Sequence, residues 1–154
     1  MSKKFRVSAV MMLIVVALSL SLGGSAAPAT YVHGIFSERA LYVVDGLTGD
    51  QYPVRGNAIA SWTEHPLQSG NQAFFNAIVH NAAGDRYEFR LVSLGNTTND
   101  SIYGKFDIYK NYNLVAQVTG TAYGLSLPVG NYYKFYDSQQ NWHVSGYITD
   151  RLDY

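Results

Sequence analysis

The sequence predicts a single all-β domain, an antiparallel arrangement of about eight strands in meander order that forms a barrel or a sandwich, after an N-terminal signal peptide. Two observations predict this class. From Thr30 onward, apolar residues recur with a period of two far more often than with the helical period of about 3.6. Turn residues recur roughly every eight to twelve positions, and no stretch has the pattern of an amphipathic helix. No shift in composition marks a second domain.

Four segments show the alternation of a strand that has one buried and one solvated face. In residues 86–94, Tyr87 and Phe89 alternate with charged residues. The other three segments are 102–109, 114–123 and 142–149. Their expected inward residues are Ile102, Gly104, Phe106 and Ile108, then Leu114, Ala116, Val118, Gly120 and Ala122, and finally Trp142, Val144, Gly146 and Ile148.

The earlier strands are less clear, because they carry apolar residues on both faces. We expect them to lie centrally or against a second layer, and they span 41–44, 51–62 and 72–80. Asp, Asn and Gly cluster at places short enough for hairpin turns, namely 45–50, 81–85, 110–113 and 137–141. Two longer links are expected to be irregular surface loops, 63–71 and 95–101.

A short motif, V-x-G-x-[AI], recurs in the second arm of three hairpins. It occurs at 54–58, 118–122 and 144–148. Glycine on the inward face of a strand weakens the strand unless something packs closely against it. We therefore expect these glycines to make room for a large side chain, or to let the sheet coil into a barrel.

Residues 1–29 have the layout of a Sec-type secretory signal peptide. Basic residues precede an apolar run over 7–22, and Ala27 and Ala29 satisfy the small-residue rule for cleavage. We therefore expect residues 30–154 to be the mature all-β domain, secreted to the extracellular space or the cell surface. An uncleaved membrane anchor is the alternative, because the apolar run approaches the roughly 17 residues that span a bilayer.

Charge and cysteine content exclude several classes of partner. Eleven Lys and Arg residues balance eleven Asp and Glu residues, and three of the basic residues lie in the signal peptide, so the mature chain carries about three net negative charges. We expect no nucleic-acid partner, and no membrane partner after signal cleavage. The chain has no Cys, so its core alone must hold the fold.

No local motif marks a catalytic or metal site. The sequence has neither a Cys nucleophile nor G-x-S-x-G, and its four histidines, His33, His65, His80 and His143, lack the spacing of metal ligands. The Asp-rich turns at 45–50 and 137–141 fit turn chemistry better than a calcium loop. We predict no catalytic residues, no metal and no cofactor. The possibility of a site whose residues come together only in the folded chain is left open.

Tyrosine is the feature that stands out. All thirteen tyrosines lie in the mature chain. The strand phases predict that several share the face opposite the Gly, Ala, Val and Ile set, where an aromatic surface with polar tips can stack on sugar rings and bind their hydroxyls. The candidate ligand-binding residues are Tyr103, Tyr109, Tyr123, Tyr132, Tyr136, His143 and Tyr147.

Residues 131–148 resemble one aromatic hairpin of the cell-wall or glucan-binding repeats. The shared features are Y-Y-x-F-x-D, a polar turn and a following V-x-G. Those families carry several tandem copies, whereas this chain has one, so the resemblance is confined to a single hairpin.

Four functional hypotheses follow. The first is a secreted, non-enzymatic binding module that recognises glycan or other cell-surface material through the tyrosine face. The second is a calycin-like eight-stranded barrel that binds a small apolar ligand inside. The third is a self-assembling extracellular structural protein, since neutral strands with few edge charges invite edge pairing and self-association. Outward tyrosines favour the first hypothesis and inward tyrosines the second; an enzyme or an enzyme inhibitor ranks last.

Overall fold

The computed structural model describes residues 29–36, 41–63 and 72–153, and the side chains of 41–63 and 72–152. Apart from Ala29, the predicted signal peptide lies outside the described residues, as does most of the predicted loop 63–71. His33 lies on a described strand whose side chains are not described, and His65 is outside the described residues.

The described residues form nine antiparallel strands and no helix, which confirms the all-β prediction. The strands are β1 (Ala29–Phe36), β2 (Tyr42–Val44), β3 (Gln51–Thr63), β4 (Ala73–Asn81), β5 (Arg86–Thr97), β6 (Ser101–Lys110), β7 (Asn113–Tyr123), β8 (Tyr132–Asp137) and β9 (His143–Asp153). Within the ranges that the structure covers, no helix is long and apolar enough to span a membrane.

The strands close into an eight-stranded barrel. β1 and β2 together occupy one position, because both pair with β3 on one side and with β9 on the other. From β3 to β9 each strand pairs with the next along the chain, and β9 returns to β1 and β2. Meander order is thus confirmed, and of the two architectures that the sequence left open the structure is the barrel.

Phenylalanines fill the middle of the barrel. The ring centroids of Phe106 and Phe135 are 4.5 Å apart, those of Phe89 and Phe135 are 5.3 Å apart, and those of Phe75 and Phe106 are 5.9 Å apart. All four side chains are fully buried. A barrel of eight strands is just wide enough for side chains to fill its interior, and these rings do so here.

The predicted phase is confirmed on β6 and β9 and is wrong at one position on β7. Leu114 was expected to point inward, but its side chain is 50 % exposed. A bulge between the partners of Ile108 and Tyr109 places Val115 as an extra residue in β7. Val115 packs against the core in place of Leu114, because one inserted residue exchanges the two faces of a strand.

All four predicted hairpin turns are confirmed, whereas the predicted loop 95–101 is wrong. β5 continues to Thr97 through two bulges, which follow Leu91 and Leu94, so the link shrinks to 98–100. A longer connection that the sequence did not reveal, 124–131, lies at the same end of the barrel. We call this the loop end and the opposite end, which carries the four hairpin turns, the turn end.

The second layer expected over the early strands is not found among the described residues. Ile59 on β3 and Phe74 on β4 are instead exposed. Their inner faces do reach the core, where Trp62 and Phe75 are fully buried.

Two of the motif glycines sit where the backbone or a ring approaches too closely for a side chain. A Cβ on Gly120 would lie 2.7 Å from the Phe135 ring, and one on Gly56 would collide with the Ile78 carbonyl oxygen. The prediction that such a glycine makes room for a large side chain is therefore confirmed at Gly120, whereas at Gly56 the close neighbour is the backbone of β4.

Candidate functional site

Every predicted ligand-binding residue lies on the outside of the barrel. Tyr103 and Tyr132 are 44 % and 50 % exposed, and the other five are partly buried. The structure does not gather them into one surface, however; it divides them among separate clusters.

The most extensive cluster is a row of rings that crosses four neighbouring strands. The ring of Tyr123 on β7 lies 5.1 Å from that of Tyr136 on β8, and Tyr136 lies 6.2 Å from His143 on β9. His143 in turn lies 5.0 Å from Tyr42 on β2. All of these contacts are edge-to-face, the geometry that aromatic rings favour. We call Tyr42, Tyr123, Tyr136 and His143 the aromatic arc.

Local backbone chemistry sets the arc in place. Tyr136 and His143 are direct partners in the β8–β9 ladder. The turn between them is held by buried Asp137, whose Oδ1 accepts a hydrogen bond of 3.0 Å from the Trp142 backbone N–H. The Gln140 N–H donates to the Asp137 carbonyl oxygen at 2.9 Å, which closes the turn. Asp137 therefore serves the turn, as the sequence predicted.

Tyr42 is the member of the arc that the sequence analysis missed. It lies on a strand of only three residues, too short for alternation to define a face. In the structure Val43 is buried and its two neighbours are partly exposed, an alternation that three residues cannot establish from sequence alone.

A shallow depression of about 290 Å³ lies along the arc. Its lining residues are Val44, Tyr123, Lys134, Tyr136, Gln140 and His143. Lys134 on β8 is the cross-strand partner of Tyr123 on one side and of Ser145 on the other, so it lies between a tyrosine and a serine. The depression thus combines ring faces, hydroxyl and amide groups, and one cation.

Two groups of the arc, His143 and Tyr136, are neutral near pH 7. Burial, and then the charge of Lys134, lower the pKa of His143 to about 4. Nε2 of the His143 ring and Oγ of Ser145 are 2.8 Å apart, which fixes the orientation of the ring. Burial and the neighbouring Tyr123 hydroxyl raise the pKa of Tyr136. His143 and Tyr136 therefore serve as neutral hydrogen-bonding groups.

Tyr132 and Tyr147 form a separate pair at the loop end, with ring centroids 6.2 Å apart. They are direct cross-strand partners on β8 and β9. The pair lies four residues along β8 from Tyr136, so the predicted residues of this strand belong to two clusters.

Tyr109 and Tyr103, both on β6, lie apart from the arc. The Tyr109 ring packs under the Arg90 guanidinium at 5.1 Å, and its hydroxyl donates to Asp107 at 3.3 Å. Tyr103 lies over the backbone of Gly95, next to the second bulge of β5. Neither ring contacts another aromatic residue among those described.

A cluster of polar side chains, which the sequence did not reveal, lies inside the barrel at the turn end. The Asp45 side chain is 0 % exposed; its Oδ2 accepts hydrogen bonds from Lys110 Nζ at 2.6 Å and from the Tyr87 hydroxyl at 3.0 Å. Its Oδ1 accepts the Leu47 backbone N–H at 2.9 Å, the turn contact that the sequence did predict. We call Asp45, Tyr87 and Lys110 the polar plug.

Electrostatics tie the plug together. Although burial opposes ionisation of Asp45, hydrogen bonds from Lys110, Leu47 and Tyr87 hold its pKa below the usual value. The same hydrogen bond to Asp45 raises the pKa of Lys110. The plug is therefore an internal ion pair, and among the described residues no group of three or more His, Asp or Glu side chains is placed to hold a metal ion.

Comparison of the chain with protein-family models, curated proteins and solved structures gives no match. The chemistry of the barrel's outer surface is therefore the basis on which we assign a function.

Proposed function

We propose that this chain is an exported, non-enzymatic binding protein whose aromatic arc holds a carbohydrate. The observation that carries the proposal is the arc itself, a row of four rings on adjacent strands, three of which border a concave surface that also holds hydrogen-bonding groups. A sugar is complementary to such a surface, because its apolar ring face can stack on aromatic rings and the hydroxyls at its edge can form hydrogen bonds.

The arc is suited to binding because its rings are already held in place. Each ring packs edge-to-face on its neighbour, and the strands beneath are fixed by the β7–β8 and β8–β9 ladders. Side chains that are ordered before binding lose little conformational entropy when the ligand arrives. Tyr and His also have few rotatable bonds, so the cost of ordering them is small in any case.

The filled interior favours the outer surface over an internal cavity. Phe75, Phe89, Phe106 and Phe135 occupy the middle of the barrel, where a calycin-like carrier would hold its ligand. The depressions of about 330 Å³ and 290 Å³ are bordered by outward residues such as Lys105, Gln117 and Tyr136. We therefore prefer a surface ligand to an internal one.

Self-association is a second candidate, and one feature of β7 favours it. β8 pairs with β7 only over residues 120–123, so residues 113–119 pair with β6 alone among the described strands. An unpaired strand edge can accept a strand from another chain. Sedimentation velocity over a range of protein concentrations tests this candidate; a constant molecular mass would exclude it.

Export is the part of the proposal that depends on residues 1–29. N-terminal sequencing of protein recovered outside the producing cell should give Thr30 as the first residue. Recovery of the whole chain in the membrane fraction would instead support the uncleaved anchor.

Glycan retention tests the arc directly. We expect the purified protein to be retained by one class of glycan on an array, and Tyr136→Ala to weaken that binding by about 1–3 kcal/mol, as expected for the loss of an aromatic stacking contact. Tyr103→Ala is the matched control, because Tyr103 is exposed on the same barrel but lies outside the arc. Equal losses from both variants, or no retention at all, would overturn the arc as the binding site.

A further inference from the structure

Lys134 differs from the basic residues that form ion pairs in this structure. Arg86 and Arg90 each contact Glu88 at 2.7 Å, and Lys110 contacts Asp45 at 2.6 Å. Lys134 has no carboxylate within 4.0 Å among the described residues, although its side chain is partly buried.

The depression around Lys134 also lacks acidic groups. Its other lining residues supply two tyrosines, one histidine, one glutamine and one valine. The nearest carboxylate in sequence, Asp137, is buried and is bound to the Trp142 backbone in the turn. The depression therefore holds a single positive charge that the described residues do not neutralise.

A ligand carboxylate fits this environment in charge and in geometry. Partial burial removes part of the hydration of the ammonium group, and a charge-assisted hydrogen bond to a carboxylate is about twice as strong as a neutral one. Lys134 stands beside Tyr123 and along the same strand face as Tyr136, whose rings are 5.1 Å apart. A sugar that lies on either ring would bring a substituent at the edge of its own ring towards Lys134.

Neutral His143 strengthens this choice. Its depressed pKa, about 4, leaves Lys134 as the only cation of the depression at neutral pH. One cation matches one carboxylate per sugar, whereas a densely sulfated chain or a phosphate group is ordinarily bound by several basic side chains.

We infer that the ligand of the aromatic arc is an acidic sugar, a uronic acid residue whose carboxylate pairs with Lys134 while its ring stacks on one of the two neighbouring tyrosines, Tyr123 or Tyr136, whose planes are inclined at 69°. This inference depends on the proposed carbohydrate function and narrows it to one chemical class.

The test compares each acidic sugar with its own neutral form. Oligomers of galacturonic, glucuronic and mannuronic acid are measured by calorimetry with the full chain, each beside its methyl ester, which keeps the sugar ring and removes the charge. We expect at least one acid to bind about tenfold more tightly than its ester. Lys134→Gln should abolish that difference, and Lys134→Arg should keep most of it.

Lys105→Gln is the matched control, because Lys105 is also a lysine on the outer face of the barrel but lies outside this depression. It should leave the acid-to-ester ratio unchanged. Thermal unfolding of each variant checks that the barrel is intact.

The outcomes separate the inference from the function beneath it. Binding of neutral glycans with no preference for an acid over its ester, or an acid preference that survives Lys134→Gln, overturns the inference and leaves the carbohydrate function standing. If neither acidic nor neutral glycans bind, the carbohydrate function itself is wrong.

Discussion

The polar plug and the depression along the aromatic arc both place a lysine beside a tyrosine, and they differ in whether an acid joins that pair. Each places a lysine beside tyrosine: Lys110 lies 5.4 Å from the centre of the Tyr87 ring, and Lys134 is the cross-strand partner of Tyr123. The plug adds Asp45, which is fully buried, and the arc adds no acid among the described residues.

This difference separates a structural role in the plug from the binding role that we propose for the arc. In the plug, Asp45 accepts hydrogen bonds from Tyr87 and Lys110 inside the barrel. These bonds connect the turn 45–50 to β5 and β6. In the depression along the arc, the polar groups are open to solvent, and Lys134 has no acidic partner among the described residues. Substitutions in and beside the plug should therefore change folding stability, whereas substitutions in the arc should change binding.

The largest expected effect comes from Trp142, which packs beside the plug. Its ring lies against Gly46 in the plug's turn and 6.3 Å from the Phe89 ring, and it is almost fully buried. Trp142→Ala should lower the free energy of unfolding by about 3–5 kcal/mol, because it leaves a large cavity in the core. Urea denaturation measures this loss.

Tyr136→Ala is the control for Trp142, since the two residues flank the same turn on opposite faces. Its cost in stability should stay below about 1 kcal/mol, the usual range for a surface position. If the two substitutions destabilise the protein equally, the division between a structural and a binding region fails.

Loss of Asp45 should be the next largest effect. Asp45→Ala removes the acceptor for both Lys110 and Tyr87, and it leaves a partly buried ammonium group without its counter-charge. Because the Lys110 side chain is 24 % exposed and can reach water, we expect a loss of about 2–3 kcal/mol, below the range for a fully buried pair. Chemical denaturation should show it.

Asp50→Ala provides the comparison within the same turn. Asp50 is exposed, and its side chain accepts one hydrogen bond, from the Tyr52 hydroxyl at 3.1 Å. Its loss should change stability by less than about 0.5 kcal/mol. An Asp45 variant as stable as the Asp50 variant would contradict the structural role of the plug.

The two regions also differ in how far the sequence could predict them. The outward positions of Tyr136 and His143 follow from alternation within one strand, a local pattern. The plug joins Asp45 to residues 42 and 65 positions away, and no local pattern carries that information.

Departures from regular alternation were likewise beyond prediction. Leu114 faces outward because of a bulge that inserts Val115, and nothing in the composition of the strand announces the extra residue. Tyr42 joined the arc from a strand too short to show a period. Barrel closure itself depends on pairing between the first and last strands, which the order of elements leaves open.

As the pH falls, the contribution of His143 in the arc to folding stability should be lost before that of Asp45 in the plug. The pKa of His143 is about 4 in the folded protein and about 6.5 in the unfolded chain, so its contribution to stability is complete above pH 6.5 and is lost as the pH falls towards 4. Discounted for partial exposure, the loss should be about 1–2 kcal/mol. Asp45, whose folded pKa lies below its ordinary 3.8, should lose its contribution only below that pH.

Unfolding free energies measured between pH 7 and pH 3 test this order. His143→Gln should flatten the profile between pH 6.5 and pH 4 and leave the fall at lower pH in place. A decline of the same size in His143→Gln would show that the upper step belongs to another group.

The smallest expected effect concerns a third pair of a tyrosine and a cation, Tyr112 and Arg86. This pair shares one feature with each of the two regions. Tyr112 lies on the surface and is more exposed than the partly buried rings of the arc; it stacks on Arg86, whose charge is already paired with Glu88, as in the plug. It also occupies a two-residue turn with a φ of 69°, a conformation that favours glycine. Relief of that strain is worth about 1–2 kcal/mol, and the exposed cation–π contact about 0.5–1 kcal/mol.

Tyr112→Gly should therefore raise the free energy of unfolding by roughly 0.5 kcal/mol and leave glycan retention unchanged. Retention assays and denaturation of the same protein preparation measure both. Weaker retention in this variant would mean that exposure of a tyrosine beside a cation is enough for binding. Unchanged retention, together with a loss in Tyr136→Ala, would place binding at the arc, where Lys134 has no acidic partner among the described residues, and not at the paired cation beside Tyr112.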